Sequence, residues 1–563
     1  MEKGILQGKK LLLVLFCIIF AGLSGVNTIE TVEKIERVER GEPEYYEELN
    51  EGISKYSNAK MIKLIDMLSG FTKDANDIQK WAEEYYSSIF HDEEVDIRMV
   101  AKEYVETKLS LLNEWKVIEK KSIPEYKLHV RKVNDPILDV VTQYSGYIQF
   151  QKRYLYYYFL ESRSDPMKDP LILWLNGGPG CSSFFGMFFA LGPSKYDLED
   201  GSIYYNPWSW NHRSSLIFLD QPAGAGFSYN EDDKDISLLA ESSWNFYIFM
   251  VLFFTAFPQY SHLDFHLAGE SYAGHFIPIF AAEIMEYKHK PLDLSDIPEK
   301  IDKFPDINLK TVMIGNGYVD PYNQFAYFYY VGCSKLWGGL LPSSVCDTMR
   351  GYVDKCLNFL EFCLDYMESE CTCSSSIRYC NIHLLEPFIT AGIDLYDRRL
   401  KFSTVENQFA NFIKFVNDKK VFFNATSRYS LCNYNITMAF LKKGEQAQSV
   451  VPFVKSLLDD NIKVLVFAGD QDIICNWYGV SSWVHEMKWN HTEEFNNQSF
   501  RPWSLKRKLG NKLKGTIAGQ VKHHSGLTLL RVRDAGHSVG ETQPEYNFEM
   551  YLRWLSGDYA FEN

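Results

Sequence analysis

After residue 140 the chain carries six short apolar runs, each closed by Gly, Asp or Asn and separated by stretches with helical spacing. They are Leu171–Leu175, Leu216–Leu219, Phe265–Ala268, Thr311–Ile314, Val464–Ala468 and Leu529–Val532. A run without polar alternation is a strand covered on both faces, and alternation of such strands with helices predicts a mostly parallel α/β sheet. In such sheets, function gathers just beyond the carboxyl ends of the strands. The residues that follow these runs are therefore the ones to inspect.

The run Phe265–Ala268 leads into Gly269-Glu270-Ser271-Tyr272-Ala273-Gly274 and then an amphipathic stretch, 276–287. Strand, tight small-residue turn and helix with Ser271 at the apex is the pattern of a nucleophile elbow, in which small residues two before and two after the serine let the backbones pass. A serine hydroxyl needs a base, and in this arrangement an acid and then a histidine follow it in the chain. Val464–Ala468 ends in Gly469-Asp470-Gln471-Asp472, and Leu529–Val532 leads to Asp534-Ala535-Gly536-His537. The strand 171–175 ends in Asn176-Gly177-Gly178-Pro179-Gly180-Cys181-Ser182-Ser183, a glycine run whose uncovered N–H groups suit an oxyanion. It lacks the lysine of a phosphate loop.

The rest of the chain narrows the setting. Lys3, Lys9 and Lys10 precede an apolar run, 11–20, followed by small residues, which reads as a secretory signal over 1–25. An uncleaved signal anchor is the rival; no later segment is long and apolar enough to span a bilayer. Residues 26–130 are Glu- and Lys-rich with helical spacing at 60–68 and 97–115, and are read as a helical propeptide, processed near 120–135. Residues 131–563 form the catalytic domain. A formal charge of −15 argues against nucleic-acid binding. Seven of eleven cysteines crowd between Cys333 and Cys380, which in an oxidising compartment staples an irregular insertion, read as a cap over about 320–450. Zinc is the weaker reading, because Cys371-x-Cys373 is poor finger spacing without a histidine pair. Four sequons, at Asn424, Asn435, Asn490 and Asn497, agree with lumenal exposure.

The sequence resembles the serine carboxypeptidase family, most closely its carboxypeptidase Y-like branch, from about residue 140 onward. The resemblance rests on W-L-N-G-G-P-G-C-S-S (174–183), N-P-W-S-W-N (206–211), F-L-D-Q-P-A-G-A-G-F-S-Y (218–229), A-G-E-S-Y-A-G-H-F-I-P (268–278), I-G-N-G (314–317), A-G-D-Q-D-I-I-C-N-W (468–477) and A-G-H (535–537). It implies an α/β-hydrolase fold with Ser271 as nucleophile, His537 as general acid/base, Asp472 as its orienting carboxylate and Asp470 as structural. It places oxyanion donors at Gly178 and Tyr272. It assigns a substrate's terminal carboxylate to Asn176, Gly177 and Glu270, the last protonated and hence favouring acid pH. Phe185, Phe189, Cys475 and Ser538 are expected at the substrate pocket, and Cys475 is expected to be a free thiol.

The resemblance also implies the pairs Cys181–Cys432, Cys333–Cys346, Cys356–Cys380 and Cys363–Cys373, with Cys371 left over or replacing Cys373. Two departures stand out. The family has a second carboxylate within F-F-E-L-G-P, where this chain has Ala190; and the usual G-H-M-V-P becomes Gly536-His537-Ser538-Val539-Gly540. The expectation is a carboxypeptidase acting on peptides or proteins with a free C-terminus. It would be restrained by its own propeptide, need no metal or organic cofactor, and reside in a vacuole or lysosome-like compartment or be secreted. An acyltransferase or esterase, or a non-catalytic binding protein, on the same scaffold are the alternatives.

Overall fold

The computed structural model describes residues 115–133, 138–231, 239–290, 304–365 and 370–562. The signal peptide and most of the propeptide expected from the sequence lie outside these residues. The described residues hold fifteen strands: β1 (Lys116–Glu119), β2 (Tyr126–Val133), β3 (Gln143–Phe150), β4 (Arg153–Leu160), β5 (Leu171–Leu175), β6 (Ser194–Tyr196), β7 (Ile203–Tyr205), β8 (Ser215–Leu219), β9 (Tyr229–Asn230), β10 (Phe265–Glu270), β11 (Leu309–Gly315), β12 (Lys463–Gly469), β13 (Arg501–Ser504), β14 (Ile517–His524) and β15 (Leu527–Val532). All but β6 and β7 join one sheet in the order β1-β2-β3-β4-β8-β5-β10-β11-β12-β15-β14-β13, with β9 beside β4.

The six apolar runs are the six consecutive strands β8, β5, β10, β11, β12 and β15, and they pair in parallel. The sheet as a whole is mixed, which corrects the expectation of a mostly parallel one. Its flanks add β1–β4 on one side and β13–β14 on the other, all antiparallel. The flank strand β2 escapes a search for continuous apolar runs because its two faces differ. In β2, Tyr126, Leu128 and Val130 are buried while Lys127 and His129 lie between them, partly exposed, whereas every residue of β5 is buried. The strands β1 and β2 fall mostly within the stretch read as helical propeptide.

Side-chain alternation divides the core. Leu171, Leu173 and Leu175 face one apolar cluster with helices α1 (Leu239–Ala256) and α2 (Ala273–His289), where Phe246 stacks on Phe280 at 4.6 Å. Ile172 and Trp174 face the other cluster. Between β11 and β12 the chain makes a helical excursion with its own core. Its helices α3 (Ser343–Asp365) and α4 (Glu370–Cys380) are joined by Cys356–Cys380 and Cys363–Cys373. Each helix spaces the two cysteines of these bonds seven residues apart, about two turns, so both bonds fall on one face. Cys333–Cys346 braces the same excursion, and Cys181–Cys432 fastens it to the glycine run after β5. These are the pairs the resemblance implies; the side chain of Cys371 lies outside the described residues. Of the sequons, Asn435, Asn490 and Asn497 are exposed, while Asn424 is half-buried and donates from Nδ2 to Ser145 Oγ at 2.9 Å. Helix α5 (Pro544–Leu555) closes the second cluster, with Tyr551 stacked on Trp210 at 4.8 Å.

Candidate active site

Ser271 follows β10 directly and has φ 65°, a left-handed backbone that non-glycine residues adopt rarely and at a cost. The turn is held by Ser271 N–H donating to Gly315 O and by the N–H groups of Gly274 and Tyr318 donating to Ser271 O. Space dictates the small residues around it. A Cβ on Gly269 would lie 2.2 Å from Leu175 O and 2.9 Å from Ala273 Cβ.

The second element comes from the ends of β12 and β15. His537 Nδ1 lies 2.8 Å from Asp472 Oδ2, and both residues are buried. Asn316, at the end of β11, donates from Nδ2 to the same Oδ2 at 2.7 Å and accepts Gly469 N–H on Oδ1 at 3.1 Å. Cys475 N–H donates to Asp472 Oδ1 at 3.3 Å. Burial pulls the His537 imidazolium down, but the Asp472 charge and hydrogen bond, with Glu270, raise it above the usual histidine value overall. His537 Nε2 is buried and has no hydrogen-bond partner among the described residues. Asp470, two residues away, is spent elsewhere: it accepts from Arg531 Nη2 at 2.9 Å and Asp534 N–H at 2.9 Å.

The third element is the glycine run. Gly177 packs so closely on the elbow that a Cβ there would lie 2.2 Å from Tyr272 N and 2.8 Å from Ser271 Cβ. Gly178 has φ 112° and turns the chain sharply beside it. Asn176 is fixed by its own acceptor. Its Oδ1 takes Trp174 Nε1–H at 2.7 Å and Gly186 N–H at 3.0 Å, which leaves Nδ2 to donate to Glu270 Oε1 at 3.0 Å. Burial pushes the Glu270 carboxyl up to about 7, against the opposing effects of the His537 charge and the Asn176 hydrogen bond. Ser538 Oγ faces Glu270 without completing a bond.

These elements open on one cavity of about 210 Å³ that Asn176, Gly177, Gly178, Glu270, Ser271 and His537 help to line. Phe185 and Ser538 also line it. Phe189 does not. Its ring lies beside that of Phe185, with centroids 5.2 Å apart, but it is buried while Phe185 is part-exposed. Phe189 instead packs on Phe412 at 4.8 Å, buried behind Phe185. Cys475 is a free, buried thiol beneath the Asp472–His537 pair rather than on the cavity wall. Asp472, Cys475 and His537 bring possible ligand atoms within 4.8 Å of one another. Asp472 Oδ2 is already shared by two donors, however, and burial raises the Cys475 thiol well above its usual value, away from the thiolate a metal needs. Sequence reasoning assigned no role to Asn316, although I-G-N-G was recognised. It also passed over Asp394, Asp397 and Glu541, which line the cavity.

A serine at a sharp turn after a central parallel strand, with an Asp–His pair carried by the two strands beyond, defines an α/β-hydrolase-like protein. The serine carboxypeptidase family profile matches residues 134–557. Carboxypeptidase Y of Komagataella phaffii is 38% identical over 464 residues, covering 79% of this chain and 82% of that protein. The vacuolar serine-type carboxypeptidase ATG42 of Saccharomyces cerevisiae is 38% identical over 78% of this chain and 84% of its own length. Among solved structures, the prohormone-processing carboxypeptidase KEX1(DELTA)P of Saccharomyces cerevisiae shares the fold at a TM-score of 0.62 and 24% identity, over 76% of this chain and 93% of that one. The chain belongs to the serine carboxypeptidase family and is a serine-type carboxypeptidase, a hydrolase.

Gly177 supplies a test of the packing. Gly177→Ala should lower kcat/KM on a blocked dipeptide by about 10²-fold, because relieving the clash displaces Tyr272 N and Ser271 by about 1 Å and misplaces the reacting groups. Steady-state kinetics beside a thermal melt would check this. Unchanged kcat/KM would mean the loop yields without moving the elbow.

Proposed function

We propose that this enzyme removes C-terminal amino acids from peptides and proteins through an acyl-enzyme on Ser271. His537 Nε2 takes the hydroxyl proton as Ser271 Oγ attacks the terminal peptide carbonyl, then returns it to the leaving amine. Water, activated by the same nitrogen, releases the acyl group. Asp472 holds the imidazole tautomer and offsets the imidazolium charge. The N–H groups of Gly178 and Tyr272 receive the oxyanion. The observation that carries this reading is the His537–Asp472 bond of 2.8 Å, with Nε2 left unpartnered beside the cavity that Ser271 enters.

Asn176, Gly177 and Glu270 grip the substrate's carboxylate. Glu270 does so as the neutral acid, since a carboxylate repels a carboxylate at contact. Release of free amino acid from a blocked dipeptide should therefore fall as pH rises through about 7, where Glu270 ionises. Hydrolysis of the matching C-terminal amide should lack that limb. A pH–rate profile on both substrates checks this, and failure to release a terminal amino acid at any pH would remove the exopeptidase assignment.

Residues 1–25 are proposed as signal peptide, 26–130 as propeptide and inhibitory partner, and 131–563 as the enzyme domain, with about 320–450 as its cap. The vacuolar relative and the secretory features support residence in an acidic vacuole or lysosome-like compartment. No helix among the described residues is long and apolar enough to cross a membrane.

A further inference from the structure

We infer that Glu541 is a second carboxyl of the terminal-carboxylate site, and that it grips the substrate together with Glu270 by sharing protons with it. The inference rests on the reading of Glu270 above. Its geometry begins with the turn after His537. Gly540 packs against the backbone of Ala190 so closely that a Cβ would lie 2.8 Å from Ala190 O and 2.9 Å from its Cα. This approach delivers the next side chain, Glu541, to the cavity wall that Glu270, Asn176 and Ser271 share. The position where the sequence lacks a carboxyl and the residue that brings one into the cavity are thus in adjoining backbone.

Glu541 is half-buried and makes no hydrogen bond among the described residues. The charged groups around it come from four parts of the fold. Lys195, on β6, supplies an opposing positive charge, its Nζ donating to Gly540 O at 3.1 Å. Asp397 is engaged by Arg399 at 2.5 Å, and Asp394 accepts the N–H groups of Tyr396 at 2.8 Å and Asp397 at 3.0 Å. Glu270 faces it from β10, and His537 belongs to its own turn. Asp394 and Asp397 are therefore committed, while Glu541 is not. Burial, then the Glu270 charge, pushes the Glu541 carboxyl up to about 7, against the pull of Lys195. Two neighbouring carboxyls raised toward neutrality present O–H donors to an incoming carboxylate in acid, and lose their protons in two coupled steps that leave two repelling charges at higher pH.

The test uses the processed enzyme with Glu541→Gln and Glu541→Ala, assayed on a blocked dipeptide and its C-terminal amide between about pH 5 and 8.5. Glu541→Ala should reduce the acid-over-amide ratio of kcat/KM by about 10-fold, entirely through KM, one hydrogen bond's worth of discrimination. Glu541→Gln, which keeps a donor at every pH, should hold the ratio in acid. It should also make the alkaline fall of log kcat/KM for the acid substrate shallower, because one of the two proton losses is removed. An unchanged ratio and slope, or equal loss on both substrates, would overturn the inference. The reading of Glu270 fails separately: Glu270→Gln would then alter neither the ratio nor the pH limb in the wild-type background.

Discussion

Ser271→Ala lowers kcat on a blocked dipeptide by on the order of 10⁶-fold, with KM and thermal stability close to those of the parent, because only the nucleophile is lost. The backbone already carries the strain of φ 65° at this position, and alanine meets the same Cβ constraint as serine, so the elbow keeps its shape. The Ser271 side chain is only part-buried, so the lost hydroxyl leaves no large cavity. Release of terminal amino acid, measured at enzyme concentrations high enough to see the residual rate, checks this. A variant that retained even a tenth of parental kcat would show that another group attacks the carbonyl.

Asp472→Asn lowers kcat by about 10⁴-fold, whereas Asp470→Asn leaves it within a few-fold. Asp472 accepts three donors: His537 Nδ1–H and Asn316 Nδ2 on Oδ2, and Cys475 N–H on Oδ1. An amide has a single acceptor oxygen. If that oxygen faces His537, the new NH₂ group opposes Cys475 N–H; if it turns the other way, NH₂ opposes both His537 and Asn316. In the second arrangement the imidazole is driven to the wrong tautomer. Asp470→Asn instead weakens the tie to Arg531 and Asp534 N–H, at a stability loss of about 1–3 kcal/mol, read as a lower melting temperature. Equal kinetic losses in the two variants would mean that Asp472 is not the orienting group.

The six apolar runs were legible because burial on both faces removes polar alternation, and they are the six parallel strands. The antiparallel flank strand β2 was not, because it alternates its burial and begins before the region where such runs appear. The elbow, the glycine run and the order serine, acid, histidine could be read from local spacing, since each sits at a strand end, whereas the choice of Asp472 over Asp470 came from the family resemblance alone. Phe189 was expected at the pocket, but its ring, although beside Phe185, packs inward on Phe412, a tertiary contact that local spacing does not encode. Glu541 was invisible for another reason: its approach to Ala190 joins segments about 350 residues apart, and no local pattern encodes that contact. Asn316 lay within a recognised motif, but its bond to Asp472 depends on three strand ends meeting.

The bond between Cys181 and Cys432 spans 251 positions and anchors the loop that carries Gly177 and Gly178. A ribosome-bound chain has no means of setting that loop until the downstream half has emerged and been oxidised. Competence to cut peptides is thereby tied to the completion of synthesis in a thiol-oxidising lumen, and a copy stranded in the reducing cytosol would lack this fastening.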